Sequence, residues 1–149
     1  MATLAELTTM RAALFAARMN GARESALISH HYVSGKRGEV HLRRLDVPNG
    51  SGAPLVCLHP APHSGLYFTT LMPLITAATA VVAPDYPGYG GSRAPAELPD
   101  IAAYAEPMLD VVAAVSDGPV NLLGFHTGCL VSLEMAIQQP EKIGQLVLV

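Results

Sequence analysis

The pattern of apolar and polar positions divides the chain into short buried runs separated by longer, amphipathic segments. Four short runs are apolar almost throughout, and they lie at 54–58, 80–83, 120–123 and 146–149. A strand that is apolar at every position is buried on both faces, which is typical of a parallel sheet covered by helices. The pattern therefore predicts an α/β fold with a mostly parallel sheet and helices on both of its faces.

Apolar residues at helical spacing indicate where helices lie along the chain. The first predicted helix ends at Asn20-Gly21, and Asp100 is a typical N-cap for the third. Pro73 and Pro107 are predicted to begin or kink the helices that contain them, because proline cannot donate a helical hydrogen bond. The four predicted helices cover 1–21, 67–78, 101–115 and 129–137.

An antiparallel hairpin is predicted at one edge of the sheet. Residues 30–33 and 39–43 form two extended runs around a glycine-containing turn. From this hairpin onward the elements predict a sheet core over 28–149. Together with the N-terminal helix they predict that the whole chain, 1–149, is a single domain.

Composition narrows the classes of partner that the chain can have. Only 14% of the 149 residues are charged and the formal net charge is −3, so nucleic acid and anionic membranes are not favoured electrostatically. No apolar stretch is long enough to span a bilayer. The two cysteines, Cys57 and Cys129, lie far apart in a predicted strand and a predicted helix, which indicates a reduced, cytoplasmic chain.

The segment Gly124-Phe125-His126-Thr127-Gly128 has the pattern of a sharp turn from a strand into a helix. Such a turn needs small residues on both sides, because the central residue is strained and neighbouring side chains would collide with the backbone. This is the layout of a nucleophile elbow, G-x-S-x-G, in which the central residue projects above a parallel sheet. In this chain the central residue is histidine, so the frame of the elbow is present without its usual nucleophile.

Taken together, the motifs resemble those of the α/β-hydrolase fold family. The turn His59-Pro60-Ala61-Pro62 lies where that family has a His-Gly turn after its third strand. The segment from Asp85 to Ser92 is similar to the family's D-x-x-G-x-G-x-S loop after the fourth strand, and the elbow follows the fifth. Residues 140–149 resemble the family's passage into its sixth strand. The resemblance extends from the hairpin to Val149 and implies strands one to six of this fold.

The resemblance also implies which residues form the site. The oxyanion hole would consist of the backbone N–H groups of Ala61 and Thr127, which do not depend on the identity of the elbow side chain. Pro60 replaces a glycine of the family turn. The motif residues implied to be structural are Gly124, Gly128, His59, Asp85, Gly88, Gly90 and Ser92.

His126 is the candidate catalytic residue. A helix N-terminus opposes a cationic ring, so a neutral imidazole is expected to act as general base, as hydrogen-bond donor or as covalent nucleophile. The alternative is an elbow kept only as scaffold. A second hypothesis is a metal site at His59, His63, Asp85 and His126, but no short ligand spacing supports it. We therefore expect no metal and no cofactor.

In the resembled family the triad acid and histidine follow the later strands, and this sequence stops at Val149 before either appears. The chain is therefore expected to be the front part of a longer protein and to be inactive on its own. An unpaired apolar strand at 146–149 would favour self-association.

The function predicted from the resemblance is hydrolysis of an ester-like or C–C bond in a small organic substrate. Two alternatives stay open on the sequence alone. One is a non-catalytic protein that binds a small molecule in the same pocket. The other is a proton-transfer or lyase enzyme on the same fold.

Overall fold

The computed structural model describes residues 28–75 and 79–149, which form one six-stranded sheet in the order β1-β2-β4-β3-β5-β6. The hairpin strands are antiparallel to each other, and the second is antiparallel to β4. The other four strands run parallel, so the predicted mostly parallel sheet with a hairpin at one edge is confirmed. The strands are β1 (Ser29–Gly35), β2 (Gly38–Leu45), β3 (Leu55–Leu58), β4 (Val81–Pro84), β5 (Val120–Gly124) and β6 (Ile143–Leu148).

Helical segments cover both faces of the sheet, as predicted. On one face α2 (Ile101–Val115) and α3 (Thr127–Gln138) bury Met108, Val112 and Met135 against the sheet. The other face has a 3₁₀ segment at Gly65–Phe68 and the short helix α1 (Met72–Ile75), which bury Phe68 and Met72. A further 3₁₀ turn, Pro140–Lys142, leads into β6.

The predicted helix over 67–78 does not form as one element within its described part, 67–75, and the prediction that Pro73 begins or kinks a helix here is confirmed. A helix through this segment would need the N–H of Pro73 to reach the carbonyl of Thr69, and proline has no N–H. The chain instead makes the 3₁₀ segment and then starts α1, with Pro73 as its second residue. Pro107 does not begin a helix, because α2 continues through it from Ile101 to Val115.

Two other predictions have different outcomes. The carboxylate of Asp100 accepts a 2.8 Å hydrogen bond from the N–H of Ala103, which confirms it as the N-cap of α2. The predicted N-terminal helix over 1–21 lies outside the described residues, so the assignment of 1–149 to a single domain stays a prediction.

The strand order brings the carboxyl ends of three central strands together. Because β3 lies between β4 and β5, the turns after all three strands meet at one edge of the sheet. This edge is where parallel α/β sheets place their ligand sites. At the side of the sheet, β6 has an exposed outer surface, where Leu146, Val147 and Leu148 are 37%, 51% and 43% exposed. Self-association through this strand stays a prediction.

Candidate active site

The turn between β5 and α3 has the strained geometry of an elbow. His126 adopts φ 55° and ψ −114°, in the region that non-glycine residues avoid, and its side chain is exposed. A Cβ added to Gly124 would lie 2.6 Å from the carbonyl oxygen of Gly128, and one added to Gly128 would collide with the carbonyl oxygen of Leu58. Both flanking glycines are therefore required for α3 to pack this closely on β3 and β5.

The turn after β3 lies directly opposite the elbow. The N–H of Ala61 lies 3.4 Å from the side-chain oxygen of Thr127, and the same oxygen is 3.2 Å from Nδ1 of His126. The peptide bond between Ala61 and Pro62 is cis. Ala61, His126 and Thr127 are thus brought together at the carboxyl ends of the strands, with a hydroxyl between the backbone donor and the imidazole.

Asp85 connects several segments around this edge of the sheet. Its buried carboxylate accepts hydrogen bonds from Nδ1 of His41 at 2.8 Å, a guanidinium nitrogen of Arg43 at 2.7 Å, the N–H of Gly65 at 2.7 Å and the N–H of Gly91 at 2.8 Å. Burial alone would raise the pKa of Asp85, but these hydrogen bonds and the guanidinium charge outweigh burial and hold the pKa below its ordinary value. The carboxylate therefore joins β2 to the loops after β3 and β4.

The loop after β4 closes tightly around the same carboxylate. Gly88 and Gly90 have positive φ values of 84° and 52°, and a Cβ on Gly90 would collide with the carboxylate of Asp85. The hydroxyl of Ser92 donates to the carbonyl of Asp85 at 2.7 Å and accepts from the N–H of His41 at 2.9 Å. The Ser92 hydroxyl is therefore occupied with backbone contacts within the loop and to β2, and the two glycines are needed for the path of the loop.

His59 is fully buried between the turns after β3 and β4. Its Nε2 accepts a 3.1 Å hydrogen bond from the N–H of Tyr86, so the proton is on Nδ1, which lies 3.0 Å from the carbonyl oxygen of Pro60. Burial lowers the pKa of His59, and the buried backbone donor from Tyr86 also requires a neutral acceptor nitrogen. Both ring nitrogens are thus used to hold one turn against the other.

The sequence reasoning missed two partners of Asp85, namely His41 and Arg43 on β2. They occupy alternate positions of the strand, with Leu42 between them on the opposite face, and both are buried. Polar and apolar residues alternate from Val40 to Arg43, which is the pattern of a half-exposed strand, so nothing in the sequence indicated that these two side chains share a buried partner. The ring of His41 also contacts His30, whose Nδ1 lies 2.9 Å from Nε2 of His41.

The hypothetical metal set is not assembled in the structure. Within residues 28–75 and 79–149, no group of three or more histidine, cysteine or acidic side chains is placed to hold a metal ion. His59 and Asp85 bond to other partners, as described above. The same part of the chain contains no helix that is both long enough and apolar enough to cross a bilayer.

A cleft with an aromatic wall adjoins the elbow. Its volume is about 440 Å³, and its lining includes His63 and Tyr67. The ring of Tyr67 stacks on Phe125 of the elbow with 5.4 Å between centroids, and the ring of His63 lies 5.3 Å from that of Tyr67. The cleft is lined by Pro62, His63, Ser64, Leu66, Tyr67 and Gly90, a set without carboxylate, lysine or arginine side chains.

Comparison with known proteins gives consistent matches. A family model described as the alpha/beta hydrolase fold matches residues 53–149. A haloalkane dehalogenase of Mycolicibacterium paratuberculosis is 32% identical over 111 residues, which cover 72% of this chain and 37% of that protein. A pimeloyl-[acyl-carrier protein] methyl ester esterase of Neisseria meningitidis is 43% identical over 82 residues, which cover 54% of this chain and 30% of that protein.

Solved structures match over a larger share of the chain. An epoxide hydrolase, CorEH, superimposes with a TM-score of 0.73 at 26% identity and covers 81% of this chain and 41% of its own. An N-acyl homoserine lactonase, AidH, complexed with N-butanoyl homoserine superimposes with a TM-score of 0.70 at 26% identity and covers 81% of this chain and 44% of its own. This chain therefore spans less than half the length of each of the four proteins described.

Proposed function

This chain belongs to the α/β-hydrolase fold family, and from that premise we propose that it is a hydrolase. The proposed reaction is cleavage of an ester-like or C–C bond in a small, neutral or weakly polar organic molecule. The four proteins described above are named for hydrolysis of carbon–halogen, ester, epoxide or lactone bonds, which supports the reaction class without selecting one bond type.

The observation that carries the proposal is the position of His126. Its imidazole stands at the strained residue of the elbow, is exposed, and lies beside the Ala61 turn. Strain at a non-glycine residue persists only where the surrounding structure enforces it, and such positions cluster at functional sites. We infer that His126 acts as general base and that the backbone N–H groups of Ala61 and Thr127 stabilise the developing oxyanion.

The proposed substrate class is supported by the lining of the cleft. The stacked rings of Tyr67 and Phe125 offer apolar surface beside the elbow. The charged residues Asp85 and Arg43 are buried and bonded to each other, so they offer no free charge to a ligand. An ionic substrate would find no carboxylate, lysine or arginine side chain to pair with in this lining. Asp85 and His59 are proposed to act as structural residues, which hold the loops around the cleft.

The test is the substitution His126→Gln, which keeps a polar side chain and removes the base. The substitution is introduced into the full-length natural protein, and its rate of hydrolysis of p-nitrophenyl butyrate is compared with that of the parent. Loss of a general base is expected to lower kcat/KM by at least about a hundredfold. His31→Gln, an exposed histidine on β1, is the matched control and should keep the activity of the parent.

Two outcomes would contradict the proposal. Hydrolysis by His126→Gln at the rate of the parent would exclude His126 as the base. Binding of a small molecule by the parent without any turnover of esters would favour the non-catalytic binding protein instead. Thermal unfolding of each variant shows whether a loss of activity is a loss of fold.

A further inference from the structure

The hydroxyl of Thr127 occupies the space between the two sides of the candidate site. Its oxygen is 3.2 Å from Nδ1 of His126 and 3.4 Å from the backbone nitrogen of Ala61. From these two contacts we propose that Thr127, and not water, is the nucleophile of the first chemical step, with His126 as its base. This inference rests on the hydrolase function proposed above and assigns a covalent acyl-threonine intermediate to it.

The donors and acceptors around the hydroxyl fix the direction of its proton. The N–H of Ala61 can only donate, so it takes a lone pair of the Thr127 oxygen. The hydroxyl proton is then free to point at Nδ1 of His126 when that ring carries its own proton on Nε2. A hydroxyl that donates to an unprotonated imidazole nitrogen is the arrangement that activates serine and threonine nucleophiles.

The position of Thr127 on its helix favours the same role. It is the first residue of α3, where the unpaired N–H groups of the first turn favour negative charge on a nearby oxygen. Its side chain is partly exposed, so a molecule at the surface can reach it. The hydroxyl oxygen of Thr127 therefore has a base beside it, lies near N–H groups that stabilise negative charge, and can be reached from solvent.

Three other hydroxyl or thiol groups near the site contact backbone carbonyls, whereas the cleft hydroxyl of Ser64 accepts a 3.3 Å hydrogen bond from the N–H of Leu66. Ser92 donates to the carbonyl of Asp85, and Ser132 to that of Gly128. The thiol of Cys129 lies 3.3 Å from the carbonyl oxygen of Gly124. None of these three contacts places the group against an imidazole.

A second hydroxyl–imidazole contact in the described part of the chain lies away from the elbow. The Ser29 hydroxyl is 2.7 Å from Nε2 of His31 at the start of the edge strand β1. In the sheet Ser29 pairs with Arg44, and Arg44 pairs with Val82 near the amino end of β4. This contact therefore lies toward the end of the sheet opposite to the carboxyl ends of the parallel strands, where the elbow is. It offers a control with similar chemistry and a different location.

The proposed step is an acyl transfer. The Thr127 hydroxyl proton passes to Nδ1 of His126 as the oxygen bonds to the carbonyl carbon, and the carbonyl π electrons move onto the carbonyl oxygen. The negatively charged carbonyl oxygen and the Thr127 oxygen are then bonded to the same carbon. The N–H of Ala61 already faces the Thr127 oxygen, so it lies close to the oxyanion and can donate to it. As the bond to the leaving alcohol breaks, the alcohol takes the proton from Nδ1. In the second half, His126 takes a proton from water as the water oxygen bonds to the acyl carbon. The bond from that carbon to the Thr127 oxygen then breaks, the Thr127 oxygen takes the proton back from Nδ1, and the carboxylic acid leaves.

The inference narrows the substrate class of the proposed function. A threonine alkoxide that attacks a carbonyl and returns an ester to water fits carboxylic esters and lactones. Cleavage of a C–C bond would require a carbanion to leave, and a carbanion is a much poorer leaving group than the alcohol of an ester. We therefore expect ester-like substrates with a small, uncharged acyl group.

The experiment is acid quenching of the protein with p-nitrophenyl butyrate within the first turnovers, followed by mass spectrometry of its peptides. The parent and Thr127→Ser are expected to carry a butyryl group on residue 127. Thr127→Val, which has the same shape without the hydroxyl, should lack the adduct and lose about a hundredfold or more in rate. Ser29→Ala should behave as the parent, and His126→Gln should form the adduct more slowly.

The outcomes separate this inference from the hydrolase proposal. If Thr127→Val hydrolyses the ester at the parent's rate while His126→Gln does not, Thr127 is not the nucleophile and His126 remains the base for water. A butyryl group found on His126 in place of residue 127 would also overturn the inference. If Thr127→Val unfolds, the Thr127→Ser variant decides the question. Activity of that variant with a butyryl group on residue 127 supports the inference, and activity with no adduct there overturns it. A parent that neither forms an adduct nor hydrolyses the ester would overturn both.

Discussion

Replacement of Asp85 by asparagine should be among the most destabilising isosteric substitutions in the described part of the chain. The carboxylate is fully buried and neutralises Arg43, whose side chain is 10% exposed. Removing one partner of a buried ion pair leaves the other charge uncompensated and costs about 3–5 kcal/mol. The asparagine NH₂ group would also face one of the donors from Gly65 and Gly91, each of which now has a carboxylate oxygen to bond.

The matched control is Asp46→Asn. Asp46 also bonds an arginine, with 2.8 Å between its carboxylate and Nε of Arg44, but its side chain is 60% exposed. An exposed ion pair contributes about 0–1 kcal/mol, so this variant should be nearly as stable as the parent. The measurement is urea unfolding of the parent and both variants, with the midpoint and the slope compared.

The same pair of variants tests the pH dependence. The folded pKa of Asp85 lies below its ordinary value, so its stabilising contribution is present above about pH 4 and is lost as the pH falls through the folded pKa. The stability difference between the parent and Asp85→Asn should therefore shrink on acidification. A loss within about 1 kcal/mol of the Asp46→Asn loss, or a difference that grows at low pH, would refute the role of the carboxylate as the buried connection between β2 and the loops.

Two further predictions concern packing and thiol reactivity. Gly128→Ala should cost about 3 kcal/mol, because its Cβ would collide with the carbonyl of Leu58, whereas Gly118→Ala, with nothing within 4 Å of the new atom, should change the free energy of unfolding by less than about 0.5 kcal/mol. Calorimetry of the two variants compares them directly, and equal stability would contradict the close packing of α3. Burial raises the pKa of Cys57 to about 12, so iodoacetamide at neutral pH should label only the partly exposed Cys129 until the protein unfolds. Mass spectrometry measures the labelling of each thiol over time. Equal rates for Cys57 and Cys129 would show that the core at β3 opens readily and would contradict the prediction.

The sheet could be predicted from the sequence because buried strands have a strong and simple signal. Each of the four apolar runs became a strand of the parallel part of the sheet, and the glycine-containing turn became the hairpin. The helical stripe over 67–78 misled the prediction because spacing reports only which residues face the core. Whether the backbone can remain one helix depended on Pro73, which starts a new helix in place of continuing the old one.

The site was only partly predictable, for a related physical reason. Glycines at fixed offsets report local backbone demands, so the elbow around His126 could be located from five residues. The partners of Asp85 on β2 are 42 and 44 residues away in sequence, and no local pattern encodes such a contact. The contact between Thr127 and Ala61 likewise depends on the packing of α3 against β3, which only the folded chain brings about.

The unequal layers on the two faces of the sheet give the site a gradient of local stability. The elbow begins α3, which lies in the larger buried cluster with α2, whereas the chain after Ala61 leads into the 3₁₀ segment and α1, which contribute only Phe68 and Met72 to a cluster of six buried residues. Segments with few buried contacts open locally at a lower free energy than segments in the main core. The candidate site therefore lies between a side of higher local stability, the elbow and α3, and a side of lower local stability, the chain after Ala61. The His126 imidazole and the Thr127 hydroxyl are held on the more stable side, and the turn after β3 is expected to exchange its amide protons faster than α3 does.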